Sequence, residues 1–255
     1  MTTAEKTQYN PIATAYATIS DLPLSQIEYQ LIASALGDCT GLTILDLGGG
    51  SGVHARRAVE LGAALVDVVD ISSEMLRIGE EIEAKLSRKD RIRWFAADAS
   101  KPLSSHLGDS ATYDIVMANW VFDHATSVQD LEGMWTNVAT HLKPGGRFLG
   151  VRVKNPRAEY LAKGKYGVTF TGLEEIEGGV KYTVGCLTEP PFGFEATSME
   201  ETLVMSDEIG KRMGLVEFAT VDPREMEVVK KDEEFWGEFV EDPSCVVVVA
   251  KKVVE

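Results

Sequence analysis

The sequence predicts a doubly wound α/β fold: a seven-stranded, mostly parallel sheet whose last strand pair is antiparallel, an N-terminal helical lid, and a β-rich insertion after strand 5. Over residues 44–153, short apolar runs alternate with stretches of helical periodicity, a pattern typical of strand–helix–strand units with right-handed crossovers. The first run, ILDLGGGSGVHA at residues 44–55, breaks into glycines, which predicts a strand, a tight turn and a helix start. With 255 residues and 44% hydrophobic content, the chain can bury one large core.

The N-terminal forty residues predict helices at 10–17 and 22–36, with Pro11 suited to a first helical turn. Because these helices precede the first strand, we expect them to form a lid over its carboxyl end. Tyr9 and Tyr16 lie on the lid at a short spacing, and their rings are suited to wall a cavity below it. Packing as ordinary core aromatics explains the pair equally well.

Residues 41–153 predict the core of the fold. We expect helices at 53–61, 72–86 and 129–141, strands at 64–71, 92–97, 113–120 and 147–153, and a turn at 142–146. In such a sheet, ligands bind outside the carboxyl ends of the strands, where the strand order reverses. The candidate functional residues are therefore those at the strand ends.

Beyond residue 153 the pattern changes to glycine-rich segments with alternating apolar residues. Residues 154–197 predict a β-rich insertion that covers the substrate. Residues 198–255 predict a helix at 198–213 and strands at 215–221 and 245–250, which complete the sheet. We therefore expect one domain, 1–255, in four parts: lid, core, insertion and C-terminal completion.

The composition points to a small-molecule partner. A net charge of −15 and a sequence pI near 4.8 would repel nucleic-acid phosphates and anionic membranes, so we expect neither as the main partner. Three widely spaced cysteines predict core thiols in a reducing compartment and no metal site. The N-terminus has no signal-like pattern and no segment is long and apolar enough to span a bilayer, which predicts a cytoplasmic protein. The oligomeric state stays open.

The glycine turn is suited to seat a cofactor. Asp46, Gly48, Gly50 and Gly52 form D-x-G-x-G-x-G, and glycines permit positive φ and close approach of a ligand to the backbone. Asp70 follows Gly52 by about 18 residues, at the end of the second strand, where a carboxylate can accept hydrogen bonds from a ribose diol.

Asp98 ends the third strand, and its carboxylate is suited to an adenine amine, with Ile71, Met75 and Ala99 as apolar walls. These positions together predict an adenosine site. The alternative for either acid is a helix N-cap.

An adenosine site on such a sheet can hold NAD, a nucleotide or S-adenosylmethionine. Val53 stands where the dinucleotide fingerprint needs its third glycine, and no G-K-S/T follows, which argues against the first two. Asp46 is poorly placed for a pyrophosphate but suits a cofactor that carries an ammonium group.

Four segments in order resemble class I S-adenosylmethionine-dependent methyltransferases: ILDLGGGSG, VVDIS, AADAS and LKPGGRF. The opening YNPIATAYA, with KYG at 165–167 and FWGEFVEDP at 235–243, is similar to small-molecule methyltransferases of the toxoflavin synthase type. The resemblance implies a Rossmann-like fold, S-adenosylmethionine as cofactor, and roles for Gly48, Gly50, Gly52, Asp70 and Asp98 in binding it. The expected cofactor-binding set is Tyr9, Tyr16, Asp46, Gly48, Gly49, Gly50, Gly52, Asp70, Ile71, Met75, Asp98, Ala99, Asn119 and Trp120.

His124 follows the fourth strand and is the candidate general base, because imidazole titrates near neutral pH; a structural histidine is the alternative. Tyr16 is the candidate positioning residue. His54 is expected on a solvated helix face. The expected substrate contacts are Asp123, His124, Arg152, Tyr166, Phe192 and Phe194.

The sequence thus predicts a methyltransferase that moves a methyl group to a nitrogen, oxygen or sulfur atom of a small metabolite or natural product of secondary metabolism. An NAD-dependent dehydrogenase and a non-catalytic cofactor-binding regulatory protein are the alternatives.

Overall fold

The computed structural model describes residues 8–16, 18–88 and 90–254. Seven strands form the central sheet in the spatial order β3-β2-β1-β4-β5-β10-β9. Their bounds are β1 Thr43–Leu47, β2 Leu65–Asp70, β3 Ile92–Ala96, β4 Tyr113–Ala118, β5 Leu142–Val153, β9 Leu215–Thr220 and β10 Cys245–Lys252.

The first five strands of the chain pair in parallel, whereas β10 runs antiparallel to both β5 and β9. This arrangement confirms the predicted doubly wound sheet with an antiparallel end. The strand order reverses between β1 and β4, so a crevice opens beyond their carboxyl ends.

Eleven helices surround the strands in the described residues, joined by three short 3₁₀ segments. The helices are α1 Ala13–Tyr16, α2 Pro23–Leu36, α3 Val53–Glu60, α4 Ser73–Lys85, α5 Ser104–Leu107, α6 Val128–His141, α7 Glu159–Lys163, α8 Glu200–Leu203, α9 Glu208–Arg212, α10 Glu227–Lys231 and α11 Glu233–Glu241. The 3₁₀ segments are Ile19–Asp21, Val121–His124 and Pro223–Glu225. No helix among the described residues is long and apolar enough to cross a bilayer.

The sheet separates two apolar cores. In β1, Ile44 packs into the core that holds Ile27 and Leu31 of α2, whereas Leu45 and Leu47 pack into the core on the opposite face. Both faces of a parallel sheet are covered by helices, so alternate residues of one strand face different cores. Asp46 shares the face of Ile44, and its side chain is fully buried.

A second, three-stranded antiparallel sheet follows β5. We call it the roof sheet; it consists of β6 Val168–Ile176, β7 Gly179–Cys186 and β8 Phe192–Met199. Phe170 stacks on Tyr182 at a centroid distance of 4.9 Å and joins the apolar core on its inner side. The β-rich insertion predicted from the glycines and alternating residues is this sheet.

Two predicted elements differ from the structure. The single helix expected at 198–213 is wrong in two respects: Ser198 and Met199 end β8, and the remainder forms two short helices, α8 and α9. The hydroxyl of Ser198 donates a hydrogen bond to Asp123, which holds the residue in the strand. The turn expected at 142–146 belongs to β5.

Trp94 of β3 packs into a slot between two glycines. A Cβ on Gly52 would lie 2.5 Å from the indole ring, and a Cβ on Gly79 of α4 would lie 2.3 Å from it and 2.9 Å from the Ser51 carbonyl oxygen. Helix α4 therefore approaches the glycine turn only because Gly79 has no side chain.

We expect Gly79→Ala to lower the free energy of unfolding by about 1–3 kcal/mol, because the methyl group overpacks this slot. Gly237→Ala in α11 is the matched control, since nothing lies within 4 Å of the Cβ that it would introduce. There the change should stabilise the protein by about 0.5–1 kcal/mol, because alanine is the better helix former. Urea unfolding followed by tryptophan fluorescence measures both, and equal effects would refute the slot.

Candidate functional site

A cavity of about 670 Å³ lies beyond the carboxyl ends of the central strands and reaches to the inner face of the roof sheet. The glycine turn and the ends of β2 and β3 line one half, which we call the cofactor half. The 3₁₀ segment after β4, the roof sheet and the lid helices line the other half, which we call the acceptor half. Tyr9 and Tyr16 of the N-terminal segment contribute to the lining.

The glycine turn has no room for side chains. Gly48 and Gly50 adopt positive φ angles of +68° and +54°. A Cβ on Gly48 would lie 2.8 Å from Val121, and one on Gly49 would lie 2.6 Å from Oδ2 of Asp46. Glycine at these positions lets the turn fold tightly over the end of β1 and leaves its backbone open to the cavity.

Gly52 lies outside the cavity lining, although the sequence assigns it to cofactor binding. Its φ of +78° and its contact with Trp94 give it a structural role at the start of α3.

Asp70 joins the glycine turn to the start of α4. Its Oδ2 accepts a hydrogen bond from the backbone N–H of Gly50 at 2.9 Å, and its Oδ1 accepts one from the N–H of Ser72 at 2.8 Å. Burial raises the pKa of Asp70, while these backbone donors oppose that shift. Ser72, rather than Asp70, is the N-cap of α4, so the N-cap alternative does not describe Asp70.

Asp98 is fixed by Ser100, whose backbone N–H and hydroxyl donate to its Oδ1 at 2.9 and 2.7 Å. Asp98 lines the cofactor half together with Ile71, Met75 and Ala99. The acids predicted at the ends of β2 and β3 therefore face one cavity, with the apolar side chains expected beside them.

Asp46 is a buried carboxylate without a partner among the described residues. Its side chain is fully buried, and neither oxygen accepts a hydrogen bond. Burial raises the pKa of Asp46 from 3.8 to about 7, against an opposing effect of His54. A group this costly to bury needs a hydrogen-bond donor or a cation.

The prediction that His54 lies on a solvated helix face is wrong. His54 lines the cavity, and its Nε2 lies 3.2 Å from Oε1 of Glu28 on α2. Glu28, which the sequence analysis did not single out, also lines the cavity. The fold places α2 against α3, a long-range contact that no local pattern predicts.

An aromatic cluster stands at the boundary between the two halves. The Tyr9 hydroxyl lies 2.9 Å from Nε2 of His124. The Tyr9 ring packs edge-on against Tyr16, with ring centroids 5.6 Å apart, and at a tilt against Phe194, with centroids 5.2 Å apart. Burial lowers the pKa of His124 to about 4 and raises that of Tyr9 well above 10. At neutral pH the imidazole is therefore uncharged and the phenol is protonated.

Asp123 connects the 3₁₀ segment to the roof sheet. It accepts hydrogen bonds from the Ser198 hydroxyl at 2.6 Å and from the Val153 N–H at 3.1 Å, and the Tyr182 hydroxyl lies 2.8 Å from Ser198. Burial raises the pKa of Asp123 to about 6. Ser198 is a polar contact that the sequence analysis missed, because it sat in a predicted helix.

Three expected substrate contacts lie outside the cavity lining. Arg152 is buried on the opposite face of the sheet, over Trp135 and within 3.4 Å of Asp207. Tyr166 stacks on Trp236 and donates a hydrogen bond to the Phe235 carbonyl. Phe192 packs behind Tyr16, with ring centroids 6.0 Å apart. Asp123, His124 and Phe194 do line the cavity.

Asn119 and Trp120 line the cavity at the end of β4. Trp120 adopts a left-handed φ of +62°, which turns the chain there. The side chain of Asn119 is 8% exposed, and neither its amide nitrogen nor its oxygen has a hydrogen-bond partner among the described residues. Such a buried amide needs a ligand to satisfy it.

The cofactor half fits S-adenosylmethionine on chemical grounds. The unpartnered Asp46 carboxylate suits an ammonium group, Asp70 suits a ribose diol, and the turn at residues 48–50 offers open backbone in place of side chains. A pyrophosphate in the same place would meet the Asp46 carboxylate, a charge of its own sign.

Parts of the chain are similar to known methyltransferases. Residues 44–146 match the methyltransferase domain family. The ubiquinone/menaquinone biosynthesis C-methyltransferase UbiE of Caulobacter vibrioides is 25% identical over 182 residues, which cover 66% of this chain and 68% of that protein. The CcbJ methyltransferase of Streptomyces caelestis superposes with a TM-score of 0.64 at 19% identity, covering 99% of both chains. DhpI in complex with SAH superposes with a TM-score of 0.59 at 16% identity, over 99% of this chain and 97% of that one.

We expect Asp46→Asn to change how stability depends on pH. Because the pKa of Asp46 is raised in the folded state to about 7, the folded protein keeps a proton that the unfolded chain releases near pH 4. The stability that this bound proton contributes is fully present below pH 4 and is lost as the pH rises towards 7. The unfolding free energy of the wild type should therefore fall relative to Asp46→Asn by about 1.4 kcal/mol per pH unit in this window.

Urea unfolding of the cofactor-free protein between pH 4 and 8 measures this difference. The exposed Asp109→Asn serves as the matched control, and its curve should run parallel to that of the wild type. Parallel curves for Asp46→Asn and the wild type would show that Asp46 is not desolvated.

Proposed function

We propose that this class I S-adenosylmethionine-dependent methyltransferase transfers a methyl group to a nitrogen, oxygen or sulfur atom of a small metabolite held beneath the roof sheet. The observation that carries the proposal is the acceptor half of the cavity. Its lining is mainly apolar and includes Leu22, Leu24, Val153, Val168, Phe170, Val184 and Ala196. A mainly apolar cavity with a few convergent polar groups is typical of small-molecule sites.

The lid supports a small acceptor rather than a macromolecular one. Gln8 exchanges two hydrogen bonds with the backbone of Glu195 in β8, at 2.8 and 2.9 Å, and Asn10 accepts one from the Ser72 hydroxyl at 2.7 Å. The N-terminal segment thereby bridges the roof sheet and the cofactor half. An acceptor that reacts in this closed arrangement must fit within the cavity.

The cofactor-binding roles follow from the polar groups of the cofactor half. In this proposal Asp46 binds the ammonium group, Asp70 the ribose hydroxyls and Asp98 the adenine amine, while Ile71 and Met75 pack on the ring. S-adenosylmethionine, when bound there, supplies an activated methyl group on a sulfonium. The protein then has to align the acceptor for in-line displacement and exclude water.

His124 and Tyr9 stand where the acceptor atom would approach the cofactor half. With its pKa lowered to about 4, the His124 imidazole is neutral and can accept a proton or a hydrogen bond from the acceptor. The Tyr9 hydroxyl holds the ring in place through Nε2. For the ring to act as a base, Nε2–H donates to the Tyr9 oxygen and Nδ1 receives the acceptor proton. A heteroatom carrying a proton fits this arrangement, which favours transfer to nitrogen, oxygen or sulfur.

The first test is calorimetric titration with S-adenosylmethionine, S-adenosylhomocysteine and NAD. We expect saturable binding of the first two and none of NAD. Asp70→Asn should weaken S-adenosylhomocysteine binding by about tenfold or more, because it replaces a charge-assisted hydrogen bond with a neutral one. Asp109→Asn should leave the affinity unchanged. Tighter binding of NAD would overturn the proposal in favour of a dehydrogenase.

The second test concerns His124 and uses release of S-adenosylhomocysteine across a panel of small amines, phenols and thiols. With the best acceptor, His124→Gln should lower kcat by about 10²-fold if the ring takes the acceptor proton. Because the pKa of His124 is about 4, the ratio of wild-type to variant activity should stay constant from pH 8 to pH 5. The exposed His106→Gln is the control; unchanged turnover of His124→Gln would remove His124 from the reaction.

A further inference from the structure

We propose that the acceptor carries a cationic amino group, and that Glu28 binds this group in the acceptor half of the cavity. This inference rests on the proposed function and narrows its substrate class. Six carboxylate side chains line the cavity: Glu28, Asp46, Asp70, Asp98, Asp123 and Asp130. Among the residues that the structure describes, no lysine or arginine side chain joins them in the lining.

The cofactor accounts for only part of this charge. Asp46, Asp70 and Asp98 belong to the cofactor half, and Asp130 pairs with Nζ of Lys101 at 3.3 Å. Glu28 and Asp123 are left facing the acceptor half. A compartment with two carboxylates and no cationic side chain attracts a cation.

Glu28 is the better placed of the two for a ligand. Both oxygens of Asp123 are already hydrogen-bonded, to Ser198 and to the Val153 N–H. Glu28 has one hydrogen-bond partner among the described residues, Nε2 of His54. Glu28 lies on α2, and this helix packs against α3 and β10.

His54 occupies only one oxygen of Glu28. Nε2 of His54 lies 3.2 Å from Oε1 of Glu28. The second oxygen, Oε2, has no hydrogen-bond partner among the described residues, so it is the atom that a ligand ammonium group can bind.

Two further features suit a cationic amine. The Asn119 side chain is 8% exposed, lines the same cavity, and has an unpartnered amide oxygen that can accept from an ammonium N–H. The rings of Tyr9, Tyr16 and Phe194 form an aromatic wall, and aromatic faces attract cations. Carboxylate, amide oxygen and aromatic wall together make a receptor for an ammonium group on an apolar body.

The same arrangement rejects anions. An acceptor with a carboxylate or phosphate group would lose its hydration next to Glu28 and Asp123 and would find no positive side chain to replace it. Such a charge mismatch gives specificity by repulsion as well as by attraction.

The test measures binding of three matched probes to the protein saturated with S-adenosylhomocysteine: benzylamine, benzyl alcohol and benzoate. Ligand-observed NMR titration gives the affinities. We expect benzylamine to bind at least about tenfold more tightly than benzoate, and Glu28→Gln to reduce this ratio to within about twofold. The exposed Glu60→Gln is the matched control and should keep the wild-type ratio.

Equal binding of benzoate and benzylamine, no saturable binding of benzylamine, or a ratio that survives Glu28→Gln would overturn the proposal. Failure of the proposed function is a separate result. If S-adenosylhomocysteine does not bind, or no acceptor of any charge is methylated, the methyltransferase proposal fails whatever the probe ratio is. Methylation confined to uncharged or anionic acceptors would refute only the proposal that the acceptor is a cationic amine.

Discussion

The burial of Asp46 under the glycine turn is the constraint on which the site depends. Strand β1 is covered on both faces, so its side chains, Asp46 included, are removed from water. Gly49 packs so closely over this carboxylate that a Cβ would lie 2.6 Å from Oδ2. The turn thus excludes water from Asp46 and leaves the cavity as the side from which a partner can arrive. An ammonium group at that point satisfies the carboxylate and relieves the cost of its burial.

The lid and the roof sheet cover the acceptor half of the cavity, and both are hydrogen-bonded to polar groups of the core. Tyr9 reaches His124, and Ser198 of the roof sheet reaches Asp123, so two neighbouring residues of one 3₁₀ segment receive contacts from opposite sides. A displacement of the lid or of the roof sheet would therefore also shift the 3₁₀ segment that faces the acceptor. This coupling explains how a loop after β4 can be held firmly although it lies outside the regular sheet.

The sequence was informative where function depends on chain order. Asp70 and Asp98 end consecutive parallel strands, and the sheet geometry brings such ends together whatever the helices do. Glu28 and His54 lie on α2 and α3, and their meeting depends on how two helices pack, which periodicity alone does not specify. Arg152 was misplaced for a different reason. Side chains of a strand alternate, and Val151 and Val153 share the face of the core that borders the cavity, so Arg152 must point the other way. Strand parity was the signal that could have corrected it.

The net charge of −15 is reflected in the carboxylates that line the cavity. Lys101 pairs with Asp130, and Arg152 lies on the far side of the sheet. Among the described residues, Glu28, Asp46 and Asp70 of the lining have no lysine or arginine partner. Their field is focused by the apolar walls of the acceptor half, because low-dielectric surroundings weaken it less than water does. A sulfonium cofactor and an acceptor with an ammonium group would both be drawn into this field, yet their two positive charges would repel each other. In the proposed arrangement Asp46 binds the ammonium group of the cofactor and Glu28 binds that of the acceptor. Each molecule then has a negative partner of its own, which offsets part of the repulsion. A cavity with no lysine or arginine in its described lining is thus consistent with a reaction that brings two cationic molecules close together.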